Sequence, residues 1–200
     1  MAMERSKSPR ARLFVALDLP GAVRSGIAAW GAGALADPAL RAVAEESLHI
    51  TLAFLGWMAE EEIAQLAGIV ESSGGPAPRI ALGGPVPRPE RGRPRLFALT
   101  VVSPETVGLQ AALQEKLVAA RLYEPEKRPF WPHVTVARVR RENRGSKRPM
   151  PVSKLPEALP KELLRPFGGV RLTLYRSQLQ PQGAQYTPLA QVELPAGGRQ

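Results

Sequence analysis

The order of apolar and polar positions predicts alternating strands and helices along most of the chain. A strand at 12–19 is followed by helix-start signals at Asp18 and Pro20, then by apolar residues spaced along one helical face. Ser103-Pro104-Glu105 is a second strong helix start, because a capping serine precedes a proline at the first helical position. The predicted strands are 12–19, 48–55, 79–86, 95–102, 133–139, 169–179 and 186–194; apolar helix stripes begin at Val23, Ile63 and Leu109, and a short helix is predicted at 157–165.

Part of this pattern occurs twice. Arg-Leu-Phe opens two strands, at 12–14 and 95–97, and each is followed by a helix and then by a strand that contains His-x-Thr. The spacing from Phe14 to His49 is 35 residues, and that from Phe97 to His133 is 36. A three-residue match is common by chance, but equal spacing in the same element order favours an internal duplication. Two such units are expected to face each other about a pseudo-twofold axis.

The duplication suggests a domain organisation. We predict a flexible tail at 1–11, a single bilobal domain at 12–195 and a short tail at 196–200, with the repeated units at about 12–55 and 95–139. The polar, basic segment 141–151 is expected to be a mobile loop.

The composition narrows the possible function classes. The 200 residues are 44% apolar, which is enough for a substantial core, and they include no cysteine, which excludes disulfides and thiolate chemistry. The net charge of +9 is concentrated in 127–148 and 88–95; such clusters attract polyanions, although a solvated basic surface explains them equally well. No apolar run approaches the roughly 18 residues of a membrane span, and residues 1–10 lack a secretory signal. We therefore expect a cytoplasmic protein, without membrane association and monomeric.

The two histidines of the chain stand in matching contexts. They occur in His49-Ile50-Thr51-Leu52 and His133-Val134-Thr135-Val136. Because strand side chains alternate between faces, each histidine projects together with its threonine, and the intervening aliphatic residues project to the other face. Across a pseudo-twofold cleft, two imidazoles and two hydroxyls would converge.

This set of groups suits hydrolysis of a phosphodiester without a metal. One neutral imidazole can take a proton from the attacking water while an imidazolium protonates the leaving oxygen, and histidine's ordinary pKa allows both forms near neutral pH. The threonine hydroxyls can donate to the non-bridging phosphate oxygens. A purely structural role is the usual explanation for one strand histidine, but less so for two in duplicate contexts. Metal binding is the less favoured alternative, because neither motif contains a cysteine or an acidic residue.

At these residues the chain resembles the 2H phosphoesterase superfamily, and more closely its RNA 2′,3′-cyclic phosphodiesterase family, also called 2′-5′ RNA ligase. The similarity extends from Arg12 to about Leu194. It is carried by RLFVALDLP, SLHITLAFLG, FWPHVTVAR and a C-terminal pattern of Ser177, Gly183 and Tyr186.

The resemblance implies an α+β fold with two pseudo-twofold-related lobes, antiparallel-rich sheets lining a central cleft and helices outside. It implies hydrolysis of an RNA terminal 2′,3′-cyclic phosphate to a 2′-phosphomonoester, with no cofactor or metal and with RNA ends or cyclic nucleotides as partners. It assigns the proton-donor role to His49, the acceptor role to His133, and phosphate binding to Thr51 and Thr135.

For three further residues, the sequence does not decide whether the side chain faces the site. Arg138 matches the arginine that ends the family's second motif, yet a period-two count from Thr135 directs it to the opposite face unless the strand twists or bulges. Phe14 and Tyr186 are candidates for shaping the nucleotide pocket, although each is more often core.

Other functions remain open at this stage. The family's tryptophan before the first motif is replaced here by LRAVAEES. The same site would also permit the reverse reaction, 2′-5′ RNA ligation. A 2H enzyme acting on another small cyclic or linear nucleotide and a non-catalytic RNA-binding module are the alternatives.

Overall fold

The computed structural model describes residues 9–143, 145–180 and 183–195, and within them the chain forms nine strands and three α-helices. The strands are β1 (Arg10–Asp18), β2 (Leu40–Ala42), β3 (His49–Ala59), β4 (Arg79–Arg88), β5 (Leu96–Val102), β6 (His133–Val139), β7 (Phe167–Gly168), β8 (Arg171–Gln180) and β9 (Gly183–Glu193). The helices are α1 (Gly21–Ala34), α2 (Ile63–Glu71) and α3 (Pro104–Ala119), with 3₁₀ turns at Glu45–Ser47, Glu60–Glu62 and Lys161–Leu164.

The strands form one sheet in the order β7-β4-β5-β6-β3-β1-β8-β9, with β2 added beside β6. Every strand pairing given by the described residues is antiparallel. This confirms the predicted α+β class with an antiparallel-rich sheet. None of the helices in the described part of the chain is long and apolar enough to span a membrane.

The sheet order has an internal symmetry. From the central pair β3 and β6, the strands outward are β1 and β8 on one side and β5 and β4 on the other. The order β1-α1-β3 matches β5-α3-β6, apart from β2 and a 3₁₀ turn inserted before β3. The starts of α1 and α3, at Gly21 and Pro104, are 83 residues apart, as are Phe14 and Phe97. These correspondences support the duplication, which we retain as a proposal.

The apolar stripes of the sequence form the core between the helices and one face of the sheet. Ile27 of α1, Leu66 and Val70 of α2, and Leu113 and Leu117 of α3 are almost completely buried. Each buried aliphatic side chain of this size stabilises the fold by about 1.5–3 kcal/mol relative to exposure. Burial of one sheet face leaves the opposite face of the central strands for polar side chains.

The predicted start of α3 is confirmed in atomic detail. The Oγ of Ser103 accepts a hydrogen bond from the Thr106 backbone N–H at 3.0 Å, and Pro104 occupies the first helical turn. Ser103 and Thr106 are both buried, so water cannot replace this bond. The cap therefore orients the helix that leads towards the second His-x-Thr strand.

We expect Ser103→Ala to lower the free energy of unfolding by about 1 kcal/mol, because the N–H of Thr106 loses its acceptor. Urea denaturation measures this change, and Ser103→Thr, which keeps a hydroxyl, serves as the matched control. An unchanged unfolding midpoint for the alanine variant would show that the cap does not contribute.

Several predictions need correction or lie outside the described residues. β1 begins at Arg10 and Ala11 is buried, so residues 10 and 11, which the sequence assigned to the tail, belong to the sheet. The strands β2 and β7 were not predicted, because three and two residues are too short to show periodicity. The proposed short helix at 157–165 is only the 3₁₀ turn Lys161–Leu164. Residues 1–8, 144, 181, 182 and 196–200, including most of both predicted tails and the start of the Pro181-Gln182-Gly183 turn, are outside the described part.

Hydrogen bonds and an ion pair hold the described residues of the basic segment 141–151, which the sequence predicted to be a mobile loop. Arg141 and Pro149 form an isolated bridge, and the Met150 N–H donates to the Arg140 carbonyl at 2.8 Å. Arg93 forms an ion pair with Glu142 and donates to the Pro149 carbonyl at 3.1 Å. These contacts fold the described residues of the segment back on themselves.

Candidate active site

All five site residues predicted from the sequence line a single cleft of about 350 Å³. The cleft lies on the polar face of the central strands, and residues of β8 and β9 complete its lining. The predicted residues in its wall are His49, Thr51, His133, Thr135 and Arg138.

The position of the cleft follows from how β3 and β6 pair. Ile50 lies opposite Val134, the pairing given for these two strands, and both side chains are fully buried. The flanking histidines and threonines therefore point to the other face. Antiparallel pairing at this point places His49 across from Thr135, and Thr51 across from His133. The two motifs thus meet around one pair of residues, as a pseudo-twofold arrangement requires.

Arg138 reaches the cleft because β6 contains a bulge. Thr135 pairs with Ala98, whereas Ala137 pairs with the adjacent Phe97, so Val136 is an extra residue. Val136 and Ala137 are consequently both buried, and the alternation resumes with the opposite parity. The bulge is the exception that the period-two count allowed, and it places Arg138 on the same face as Thr135.

A corresponding bulge in β3 gives a different result. Thr51 pairs with Ala16 and Ala53 with the adjacent Val15, so Leu52 is the extra residue. Counting from the histidine, Phe54 then occupies the position that Arg138 has in β6. The first motif supplies an aromatic ring where the second supplies a cation.

Arg12 provides the cation on this side of the cleft, and the sequence reasoning missed it. Its guanidinium carbon lies 4.6 Å from the centre of the Phe54 ring, and its Nη1 donates to the Ser177 Oγ at 2.9 Å. Arg12 and Ser177 both line the cleft. The available signal was the Arg-Leu-Phe opening of β1, but only the register of β1 with β3 and β8 shows where this arginine points.

His49 is held in an aromatic cage. Phe14 stacks on its ring at a centroid distance of 5.0 Å, and Tyr186 meets it edge-on at 5.5 Å. The Nε2 of His49 is 3.1 Å from the Thr51 Oγ1. Phe14 and Tyr186 both line the cleft, as expected of residues that shape its pocket.

This environment lowers the pKa of His49 to about 4, chiefly because the cage shields the ring from water. A hydrogen bond at the Ser47 backbone and the negative charge of Asp18 act in the opposite direction, and the His133 and Arg138 charges lower the pKa further. In the absence of an anionic ligand, His49 is therefore neutral at neutral pH. The ordinary histidine pKa assumed from the sequence does not apply to this site.

His133 is fixed by Trp131. The two rings stack with centroids 4.1 Å apart, and the His133 Nδ1 is 2.8 Å from the Trp131 carbonyl oxygen, to which it donates. The neutral ring then carries its lone pair on Nε2. Arg88 lies over Trp131 with its guanidinium carbon 3.9 Å from the ring centre. The pKa of His133 is lowered by shielding from water, partly offset by the bond to Trp131, and is lowered further by the charges of Arg88 and Arg138.

A buried carboxylate lies behind the His49 cage. Asp18 is opposite His49 in the β1–β3 pairing and is 5% exposed. Its oxygens accept hydrogen bonds from Arg171 Nε at 2.8 Å, Thr173 Oγ1 at 2.8 Å and the Tyr175 hydroxyl at 3.0 Å. The desolvation of Tyr175 and its proximity to Asp18 raise the pKa of the phenol to about 12. This network fixes the strand that presents Phe14 and sets a negative charge near His49.

In the described residues, no group of three or more His, Cys, Asp or Glu side chains lies close enough together to hold a metal ion. What the cleft does bring together is two imidazoles, the hydroxyls of the two motif threonines and the guanidiniums of Arg12, Arg41 and Arg138. Such groups can exchange protons with, and donate hydrogen bonds to, an anionic phosphodiester.

Comparison with known proteins agrees with this geometry. The model of the 2′-5′ RNA ligase superfamily matches residues 20–167, more than half of the chain. The chain belongs to this superfamily. The chain is similar to the curated RNA 2′,3′-cyclic phosphodiesterase of Escherichia coli (strain K12). The two are 34% identical over 131 residues, which cover 64% of this chain and 71% of that protein. The protein of the same name from Thermus thermophilus is 30% identical over 190 residues, covering 92% and 90%.

Solved structures with the same fold align with nearly all of this chain. The Thermus thermophilus protein TT0787 has a TM-score of 0.74 and 28% identity, covering 93% of this chain and 99% of that one. E. coli LigT complexed with 3′-AMP has a TM-score of 0.72 and 28% identity, with the same coverage. These similarities show that this 2′-5′ RNA ligase superfamily member is an enzyme of the 2H phosphoesterase type.

Proposed function

We propose that this enzyme hydrolyses the terminal 2′,3′-cyclic phosphate of RNA to a 2′-phosphomonoester, without a metal, using His49 as proton donor and His133 as proton acceptor. The observation that carries the proposal is the meeting of both His-x-Thr motifs in one cleft, around Ile50 and Val134. The curated relatives named RNA 2′,3′-cyclic phosphodiesterase support the choice of substrate.

The proposed reaction is an in-line displacement at phosphorus. The Nε2 of His133 takes a proton from a water molecule whose oxygen attacks phosphorus on the side opposite the 3′ oxygen. The bond between phosphorus and the 3′ oxygen breaks, and His49 donates its proton to that oxygen. The phosphate remains on the 2′ oxygen, and the two histidines have exchanged protonation states.

The charges near each histidine favour this division of roles. Asp18 lies on the His49 side and stabilises an imidazolium there, whereas Arg88 lies on the His133 side and disfavours one. Burial alone would keep both rings neutral. A bound phosphodiester anion adds a negative charge to the cleft, which raises the histidine pKa values and allows His49 to carry its proton during the reaction.

The remaining groups bind the phosphate in this scheme. Thr51 and Thr135 donate to the non-bridging oxygens from the two sides, and Arg138 and Arg12 contribute positive charge. Tyr186 presents aromatic surface on which a base can stack, whereas Phe14 is buried between His49 and Tyr175 and positions the ring of His49.

The product of the reaction tests the proposal directly. Purified enzyme treated with EDTA is incubated with RNA ending in a 2′,3′-cyclic phosphate and with 2′,3′-cyclic mononucleotides, and phosphorus NMR identifies the oxygen that keeps the phosphate. We expect full activity in EDTA and a 2′-phosphate product. Activity lost in EDTA and restored by a divalent metal, or a 3′-phosphate product, would overturn the mechanism. Turnover restricted to other cyclic or linear nucleotides would overturn the substrate assignment.

RNA ligation would use the same groups. If the 5′-hydroxyl of a second RNA takes the place of water, attack on phosphorus breaks the bond to the 3′ oxygen and leaves a 2′-5′ linkage. Adding a 5′-hydroxyl RNA fragment to the same assay, without ATP, tests this ligation. No joined product at high acceptor concentration would exclude it.

The pH dependence is predicted from the lowered histidine pKa values. The value of kcat/KM reports the free enzyme, in which His49 must gain a proton with a pKa of about 4 and His133 must be neutral with a pKa below 6.5. Because lowered values move both protonation steps to more acidic pH, we expect the maximum of kcat/KM between about pH 4 and 6.5. A pH–rate profile with a cyclic mononucleotide measures it, and a maximum above pH 7 would contradict the prediction.

A further inference from the structure

A second and larger cavity continues from the catalytic cleft. It has a volume of about 620 Å³ and lies along β2, β6 and the basic segment. We call it the arginine groove. It is lined by Arg41, Arg95, Arg138, Val139, Arg140, Arg141, Lys147 and Pro149.

The lining of the arginine groove contains cations and no acidic residue. None of its six basic side chains forms an ion pair with a carboxylate of the described residues. Glu142, the acid closest in sequence, pairs instead with Arg93 and Arg148, which lie outside the lining. Uncompensated cations around one cavity create a strong attraction for an anion with several charges.

The backbone around the groove is fixed before any ligand binds. Arg41 lies opposite Arg138 in the β2–β6 pairing. The Val139 N–H donates to the Arg95 carbonyl at 2.9 Å, and the Arg140 N–H donates to the Ala39 carbonyl at 2.7 Å. Because these hydrogen bonds already hold the main chain, phosphate binding need not order the backbone and costs mainly side-chain entropy.

The groove and the catalytic cleft share part of their walls. Arg41 and Arg138 line both cavities. An anion held at the two histidines therefore lies at one end of a cationic path. A single phosphate would use only a fraction of six cations, whereas a chain with one phosphate per nucleotide could use several of them.

We propose that the arginine groove binds the backbone phosphates of the RNA chain that continues from the reacting terminal nucleotide. This proposal rests on the proposed function and refines it, because it makes the preferred substrate an RNA end rather than a free cyclic nucleotide. The groove supplies binding energy that does not depend on base sequence.

The test compares two substrates and two matched double variants. Arg95→Gln/Arg140→Gln removes two groove cations that are outside the catalytic cleft. Lys161→Gln/Arg165→Gln removes the same charge from residues that line neither cavity. Arg95→Lys/Arg140→Lys keeps the charge and checks that loss of binding is electrostatic. The substrates are a short oligoribonucleotide ending in a 2′,3′-cyclic phosphate and the corresponding cyclic mononucleotide.

We expect the groove variant to lose about tenfold in kcat/KM for the oligoribonucleotide at low salt and to keep wild-type kcat/KM for the mononucleotide. The slope of log KM against log salt should fall by about 1.4, from roughly 0.7 for each phosphate contact of a single strand. Equal oligoribonucleotide kinetics for the groove and control variants would overturn the proposal.

Failure of the proposed function would be visible separately. If the wild-type enzyme turned over neither substrate, fluorescence anisotropy of the labelled oligoribonucleotide would still decide the groove's role. Weaker and less salt-dependent binding in the groove variant than in the control variant would support the proposal. Equal binding in both would refute it.

Discussion

Replacing either His49 or His133 with alanine is expected to lower kcat for hydrolysis of a 2′,3′-cyclic phosphate by about 10² to 10⁴. Each substitution removes one of the two proton transfers, and each transfer is typically worth a factor of that size. Because both histidines act in the same displacement, the double variant should lose little more than the worse single variant. Steady-state kinetics with a cyclic mononucleotide, which avoids the arginine groove, measures the loss.

The controls separate catalysis from folding and binding. Both histidines are partly exposed to the cleft, so circular dichroism and thermal unfolding should show folded variants. Binding of an oligoribonucleotide should persist in both. Retained turnover in both single variants would overturn the two-histidine mechanism, and a wild-type protein that binds RNA but never turns it over would favour the RNA-binding alternative.

The periodicity of the sequence was sufficient to predict most of the elements. The strand predicted at 133–139 has those bounds as β6, and α3 begins directly after Ser103 as its capping signal indicated. These predictions succeeded because burial of one sheet face imposes a period of two, and packing of a helix stripe imposes a period of 3.6. The meeting of His49 and His133 in one cleft could also be expected, because the apparent duplication places the two motifs on units that face each other and alternation directs both histidines to the polar face.

The register shifts of the strands could not be predicted. A bulge inserts one residue and reverses the parity of everything beyond it, and nothing in Val136-Ala137 distinguishes it from regular strand. For that reason alternation alone could not place Arg138 on the cleft face, and only the family resemblance pointed to it. Arg12 was missed for a related reason, since its approach to Phe54 depends on a bulge in the neighbouring strand.

The electrostatics of the site depend on contacts between distant segments. The sequence supports an ordinary histidine pKa, but packing of Phe14 and Tyr186 around His49 lowers that pKa to about 4. Asp18 was noted only as a helix-start signal, and its position opposite His49 appears once β1 and β3 pair. Burial and charge at a site are properties of the tertiary structure, which a single sequence does not encode locally.

The two threonines are equivalent by motif but not by contact. The Thr51 hydroxyl lies 3.1 Å from the Nε2 of His49, so it interacts with the proposed proton donor as well as facing the proposed phosphate site. His133 has its described hydrogen bond with the Trp131 carbonyl instead. Loss of each hydroxyl should therefore affect the reaction differently.

Thr135→Val should lower kcat by about 10² to 10³ with a smaller change in KM, because the hydroxyl donates to an oxygen whose charge increases in the transition state. Thr51→Val should cause a loss of similar size and should also shift the pH profile, since the neighbour of His49 is changed. Valine keeps the shape of threonine, and serine at either position should restore most of the activity.

Thr187→Val, an exposed substitution on β9, is the matched control. Wild-type kcat in both valine variants would show that the hydroxyls do not contact the phosphate, and identical pH profiles would show that the Thr51 contact with His49 has no role in catalysis.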